Sequence, residues 1–214
     1  MIIRDAQSDD LASLAQAHAR AFEGFYLTRL GPVFLQEYYR TVLEYDAGIL
    51  LIASTSGAPT LDGFVAGFMN SPTFYRRLRS RRLRLALALL PRLLRTPSLL
   101  MRVFQSSDRV HRESYSSGAG QDCELASLGV LPTAQGKGIG KALVHAFLTR
   151  SRKLGADRVF LTTDSEGNDS VKRFYQSMGF RLGEPYQAER GRWMHPCEYA
   201  FSNATDHFVR HEVA

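Results

Sequence analysis

Gln135-Gly136-Lys137-Gly138-Ile139-Gly140-Lys141 is the stretch on which the reading of this chain turns. Before it, residues 125–131 form an apolar, strand-like run. After it, residues 141–154 repeat apolar side chains at helical spacing. A glycine-rich turn between a strand and a helix start is an anion site, because unpaired backbone N–H groups and the helix dipole converge there. Glycine also removes the Cβ that would hold a ligand away from the backbone. The stretch therefore predicts a pocket for a phosphate-bearing molecule.

Two common phosphate loops fail on spacing. A P-loop needs Gly-x-x-x-x-Gly-Lys and then Ser or Thr; Gln135 stands at its first glycine and Ala142 at its hydroxyl position. The dinucleotide pattern Gly-x-Gly-x-x-Gly ends on Lys141 when begun at Gly136, and on Leu143 when begun at Gly138. Neither matches, and there is no early βαβ unit to host it. What fits is Gln-x-x-Gly-x-Gly, at Gln135, Gly138 and Gly140.

The residues that follow add a second pattern. Leu143, Val144, Phe147, Leu148 and Leu154 form one helical stripe, with Lys141, His145, Arg152 and Lys153 elsewhere, and Gly155 is placed to end the helix. Residues 158–163 read as a buried strand. Asn168 or Asp169 can cap a second helix with Val171, Phe174, Tyr175 and Met178 on its apolar face, stopped by Gly179. The string Asn168-Asp-Ser-Val-Lys-Arg-Phe-Tyr175-Gln-Ser-Met-Gly179-Phe180, set after Gln135-x-x-Gly138-x-Gly140, resembles the paired motifs of the GNAT family of acyl-CoA-dependent N-acyltransferases. The strong resemblance spans about residues 123–182; the N-terminal half matches only in its pattern of elements.

The resemblance implies an α/β fold: a mixed, mostly antiparallel, twisted sheet of about seven strands with flanking helices and a splayed parallel central pair. It implies acetyl-CoA as acyl donor and a small primary amine as acceptor, joined by direct transfer in a ternary complex. The acceptor could be an amino sugar or an amino acid. Backbone amides of Leu128, Gly129 and Val130 would orient the acetyl and pantetheine groups. Gln135, Gly136, Lys137, Gly138, Ile139, Gly140 and Lys141 would take the pyrophosphate, and Asn168 and Ser170 would lie near the cofactor. Tyr175 matches the tyrosine that protonates the leaving thiolate; by periodicity alone it is a core tyrosine. Glu124 stands where a carboxylate accepts the amine proton through water, with a solvated strand-end glutamate as the plain alternative and Asp122 as substitute. Cys123 as an acyl-enzyme nucleophile has no histidine beside it in sequence.

The N-terminal half reads as a strand at 2–6 and a helix from Asp9 or Asp10 through Phe22. A helix from Pro32 to about Tyr45 follows, then a hairpin of 48–54 and 61–69 turned at 56–59. Residues 72–105 form a helical insertion, with eight arginines between Arg76 and Arg95 among leucines. Three roles are open to it: a helical cover with solvated arginines, guanidinium contacts to CoA phosphates or an anionic acceptor, or a basic amphipathic face (76–104) on an anionic membrane. Its arginines and prolines exclude a membrane span. Residues 109–121 read as a polar loop. Trp193, Met194 and His195 read either as a turn lining the acceptor site or as part of a hairpin with a buried tryptophan, before a last strand at 197–201.

The 214 residues, 44% hydrophobic, suit one domain over 1–204 with a polar tail, 205–214. Two cysteines imply no disulfide framework, and acidic residues near the start interrupt any signal-like run, which predicts a cytoplasmic protein, monomer or homodimer. The net charge of +6 suits an anionic ligand. No zinc-finger or RNA-binding motif accompanies it, and the six histidines have no ligand spacing, so neither nucleic acid nor a metal is expected. Two other functions fit the same motifs: an acyl-CoA-binding sensor without turnover, and a long-chain N-acyltransferase whose leucine-rich insertion covers the acyl tail.

Overall fold

The structure, a computed structural model, describes residues 1–55, 61–81, 84–85, 121–188 and 191–201. Much of the Arg/Leu-rich segment, the 56–59 turn, most of the 109–121 loop and the 205–214 tail lie outside the described residues. Eight strands form one sheet: β1 (Ile2–Asp5), β2 (Gly48–Ser54), β3 (Gly63–Met69), β4 (Asp122–Val130), β5 (Arg158–Asp164), β6 (Arg181–Leu182), β7 (Tyr186–Gln187) and β8 (Trp193–Ala200). Their order is β1-β2-β3-β4-β5-β8-β6, with β7 on β8. Every pairing is antiparallel except β4 with β5.

Helices α1 (Leu11–Ala21), α2 (Tyr26–Leu30), α3 (Pro32–Leu43) and α4 (Ser71–Ser80) precede β4 in the chain. Helices α5 (Ile139–Lys153) and α6 (Asp169–Ser177) follow it. The strands bury both faces. On one face, Leu143, Val144, Phe147 and Leu148 of α5 pack with Leu125, Val159 and Leu161. On the other, Leu14, Leu35, Tyr39 and Val42 of α1 and α3 pack with Leu50, Ile52, Phe64 and Phe68. That sandwich explains the uninterrupted apolar runs at 49–53 and 64–66.

Several boundaries differ from the sequence reading. The helix after the glycine turn begins two residues early, at Ile139, and Leu154 leaves its buried stripe, 39% exposed. Gly155 and Gly179 end α5 and α6 at positive φ, with Ala156 N donating to Ser151 O and Phe180 N to Tyr175 O. Helix α2 has no counterpart in the sequence reading. The last strand starts at Trp193, not 197, because Trp193–Met194–His195 pair with β7 and β5 rather than turning. Trp193 itself is 44% exposed, not buried.

One buried polar pair lies between α1 and α3. His18 Nδ1 meets Tyr39 Oη at 2.6 Å, with His18 stacked on Phe64. Burial lowers the His18 pKa to about 4. The unfolded chain takes up that proton near pH 6.5, so stability is complete above this pH and falls as pH drops from 6.5 to 4. The expected loss is about 3 kcal/mol. Urea unfolding at pH 7 and pH 4.5 measures it, and His18→Gln removes this component of the difference.

Candidate active site

The glycine turn sits where β4 hands over to α5. Pro132–Ala134 form a short 3-10 turn, and the Gln135 side chain reaches back to Val130 O at 3.4 Å. Gly136 and Gly138 have φ of +77° and +76°, and an added Cβ would meet nothing within 4 Å at either. The backbone, not a tight fit, demands glycine there. Gly138 is the N-cap of α5 and offers no side chain to cap it. Among the described residues no acceptor engages the N–H groups of 136–141. Gln135, Gly136, Lys137, Gly138 and Lys141 are exposed, whereas Ile139 is buried and anchors the turn to the core. Gly140 lies under Phe174 of α6, 3.5 Å from where its Cβ would stand. The result is an outward-facing array of donors at the positive end of a 15-residue helix.

Strands β4 and β5 create the opening beside it. They pair only at Asp122↔Arg158, Cys123↔Val159 and Glu124↔Phe160, then part. Beyond Glu124, β4 stays on β3 alone. Its other edge, including Leu128, Gly129 and Val130, therefore carries main-chain groups with no β5 partner. A bulge at Ala126 adds a residue to β4 against the Ala66/Gly67 step of β3. It changes the side-chain phase. Cys123 and Leu125 face α5, while Glu124 and, past the bulge, Ser127 and Gly129 face the opposite side.

Glu124 is at the vertex of the parting. The residue as a whole is half-buried, but its Oε2 is sealed from solvent and has no hydrogen-bond partner among the described residues. Oε1 accepts a hydrogen bond from Tyr75 Oη at 3.1 Å. Burial raises the Glu124 pKa above the usual carboxylate value; Ser71 and Tyr75 hold it partway down. The solvated strand-end alternative is thus excluded for this carboxylate. Asp122, the substitute, is engaged by Arg158 at 2.6 Å. Cys123 faces the core with its thiol against Ser151, and burial pushes its pKa up to about 12, which removes it as a nucleophile.

Tyr175 lies on α6, 6% exposed, with its ring against Phe174 and Phe180. Burial, with Cys197 second, holds its phenol pKa well above the ordinary value, so the hydroxyl keeps its proton across the neutral range. Tyr175 belongs to the α5/α6 core, whereas Glu124 faces α3 and α4, on the other side of the sheet. Asn168 does not cap α6 with its side chain. Its Nδ2 donates instead to Thr163 Oγ1 at 2.5 Å, tying the helix entry to the end of β5. Ser170 is exposed on the first turn of α6.

Sequence reasoning missed the surroundings of Glu124: Ser71 and Tyr75 on α4, and Tyr38 on α3, whose pKa is raised by burial and by the Glu124 charge. Tyr75 is 49 residues from Glu124 in the chain, and no local spacing signals the contact.

A mixed sheet parted at its one parallel pair, with a helix N-terminus of free donors facing the gap, defines an open α/β fold built to receive a phosphate-bearing ligand. Residues 99–180 match the model of the acetyltransferase (GNAT) family. Mycothiol acetyltransferase of Renibacterium salmoninarum is 34% identical over 83 residues, 39% of this chain and 21% of that protein. The uncharacterized N-acetyltransferase YvbK of Bacillus subtilis is 38% identical over 64 residues, 29% of this chain and 39% of that protein. The chain thus spans well under half the length of these curated relatives. Among solved structures, the ribosomal-protein-alanine N-acetyltransferase of Brucella melitensis aligns with TM-score 0.61 at 17% identity, covering 94% of this chain and 100% of that one. Arabidopsis thaliana NAA60, solved with a bisubstrate analogue, aligns with TM-score 0.59 at 20% identity, covering 94% and 99%. Residues 99–180 thus match the GNAT acetyltransferase family, and the fold is that of solved GNAT structures.

Proposed function

We propose that this chain transfers an acetyl group from acetyl-CoA to a primary amine of a small molecule, by direct attack within a ternary complex. The observation that carries this reading is the unengaged N–H array of 136–141, set beside the parted strands β4 and β5. The diphosphate of CoA would lie on that array, and the pantetheine along the unpaired edge of Leu128, Gly129 and Val130. Asn168 and Ser170 would lie near the cofactor. A structural neighbour, NAA60, has also been solved in complex with acetyl-CoA.

The chemistry then divides between two side chains. A lysine-like amine is neutral in about one molecule in 2,500 at pH 7, a cost of about 4.6 kcal/mol. Glu124, its pKa raised, is a stronger base than an ordinary carboxylate and takes the amine proton through a water. The amine nitrogen bonds to the thioester carbonyl carbon, the C–S bond breaks, and Tyr175 gives its proton to the leaving sulfur; the second proton, lost from the nitrogen, passes to water, and water returns a proton to Tyr175. The products are the N-acetyl amine and CoA thiol. A relative named for mycothiol supports a small-molecule acceptor. The solved neighbours, at 17% and 20% identity, support the fold and say nothing of this acceptor. Among the described residues no helix is long and apolar enough to cross a membrane.

Thiol release from acetyl-CoA across a panel of amino sugars, amino acids, polyamines and peptides tests the reading. Turnover with a small amine supports it; no turnover with any amine, together with no calorimetric heat on adding CoA, removes it. Gly138→Glu places a carboxylate at the positive helix end and forces a side chain to φ +76°. Calorimetry is expected to show CoA binding weakened at least about tenfold.

A further inference from the structure

The Arg/Leu-rich segment begins with α4, and nothing in the acetyl-transfer reading accounts for that helix. Its placement is overdetermined. Asn70, in the left-handed region at φ 52°, caps it by accepting from Thr73 N, and Asn70 N donates to Asp122 O at 3.1 Å. Phe74 stacks on Phe68 of β3 with ring centres 3.6 Å apart. Arg77 donates to Glu44 O at 2.7 Å, and Arg81 pairs with the Glu44 carboxylate, fastening α4 to the end of α3. These two arginines therefore serve as clamps rather than solvated charges. A left-handed asparagine, a helix cap, an aromatic stack and two arginine contacts aim one helical face, Ser71 and Tyr75 at i and i+4, at Glu124.

At that point Tyr75 Oη holds Glu124 Oε1 at 3.1 Å. Ser71 Oγ, in a residue 6% exposed, and Glu124 Oε2 are both buried and, among the described residues, without a hydrogen-bond partner. Ser71 neighbours the same carboxylate at a geometry short of a hydrogen bond. Two adjacent unsatisfied buried atoms, one a donor and one an acceptor, form the setting a bridging water or an amine nitrogen completes. Resting on the acetyl-transfer reading, we propose that Tyr75, presented by α4, is a positioning residue for Glu124: it anchors Oε1 and leaves Oε2, beside Ser71, as the oxygen that receives the amine proton. The Arg/Leu-rich segment thereby enters the reaction through its first helix.

Among the described residues, the groups facing Glu124 are few. Tyr38 comes from α3 and Tyr75 and Ser71 from α4. Phe68 of β3 and Phe160 of β5 are its strand neighbours, and Cys123 beside it points to the opposite face. A phenol donor on a buried carboxylate favours the anion, so its removal raises the carboxyl pKa. In the full-length chain labelled with ¹³C-carboxyl glutamate, the Glu124 resonance is assigned by its loss in Glu124→Gln. Its titration midpoint in Tyr75→Phe is expected about one pH unit above that of the unsubstituted chain, with the acid limb of kcat/KM moving equally. Ser71→Ala, which removes the other hydroxyl that favours the anion, is expected to raise it as well. An unmoved or lowered midpoint in Tyr75→Phe overturns the proposal, since loss of the phenol donor raises the midpoint whereas loosened packing, by hydrating the carboxylate, lowers it. The titration needs no turnover. If the unsubstituted chain acetylates no amine, the transferase reading fails by itself, and the midpoint still decides whether Tyr75 positions Glu124.

Discussion

Glu124→Gln is expected to lower kcat/KM for amine acetylation by about 10²- to 10⁴-fold at pH 7, the usual worth of a placed general base. The substitution keeps the shape, and its amide can still accept from Tyr75 Oη, so the site should remain assembled. What disappears is the proton acceptor. Two features separate this outcome from a damaged fold. CoA binding by calorimetry should be unchanged, because the 136–141 donors lie at the other end of β4 from residue 124. The acid limb of the pH–rate profile should also vanish. That limb belongs to Glu124, whose base form exists only above its raised pKa; activity in the unsubstituted chain should therefore fall on acidification from a higher pH than an ordinary carboxylate would give. A Gln variant with full activity and an intact acid limb would move the base elsewhere.

Gly67→Ala is expected to cost about 3 kcal/mol or more of stability, although residue 67 is in mid-strand and touches no proposed ligand. A Cβ there would stand 2.0 Å from Glu124 O and 2.5 Å from the Phe147 ring. The first obstacle is backbone and cannot rotate away. The close approach exists because β4 bulges at Ala126 directly opposite. Relieving the clash would require β3 and β4 to separate at that step. For a chain of this size the loss corresponds to a melting temperature lower by about 6–12 °C. Scanning calorimetry measures it, and residual folded protein should also lose acetylation more than CoA binding. Little change in melting temperature would show that the bulge can be given up at small cost.

Much of this architecture is written in local pattern. Strand 48–54 and the start of α3 at Pro32 come straight from apolar runs and a proline that suits a first helical turn. The two glycine stops at 155 and 179 follow from the left-handed conformation that helix ends favour. The anion-binding turn is equally local, since its free donors arise from four consecutive helix-start amides and two glycines at positive φ. Asn168 is legible as a candidate cap of α6 but not as a side chain spent on Thr163 rather than on its own helix. Trp193 is misplaced by the sequence because the strand it opens, half-buried along most of its length, has no apolar alternation to announce it.

By itself the amino-acid order determined where a phosphate can be gripped, because that grip uses only neighbouring backbone groups and the dipole of the helix they begin. It also carries the family match of residues 99–180, through glycines and aromatic residues at spacings that short-range geometry imposes. Only the tertiary structure decided the state of Glu124. Whether a carboxylate is solvated or sealed depends on what arrives from elsewhere in the chain: a tyrosine 49 residues away, and a helix fastened by Glu44. Burial and long-range hydrogen bonds set that proton affinity, and neither is a property of any stretch of sequence taken alone.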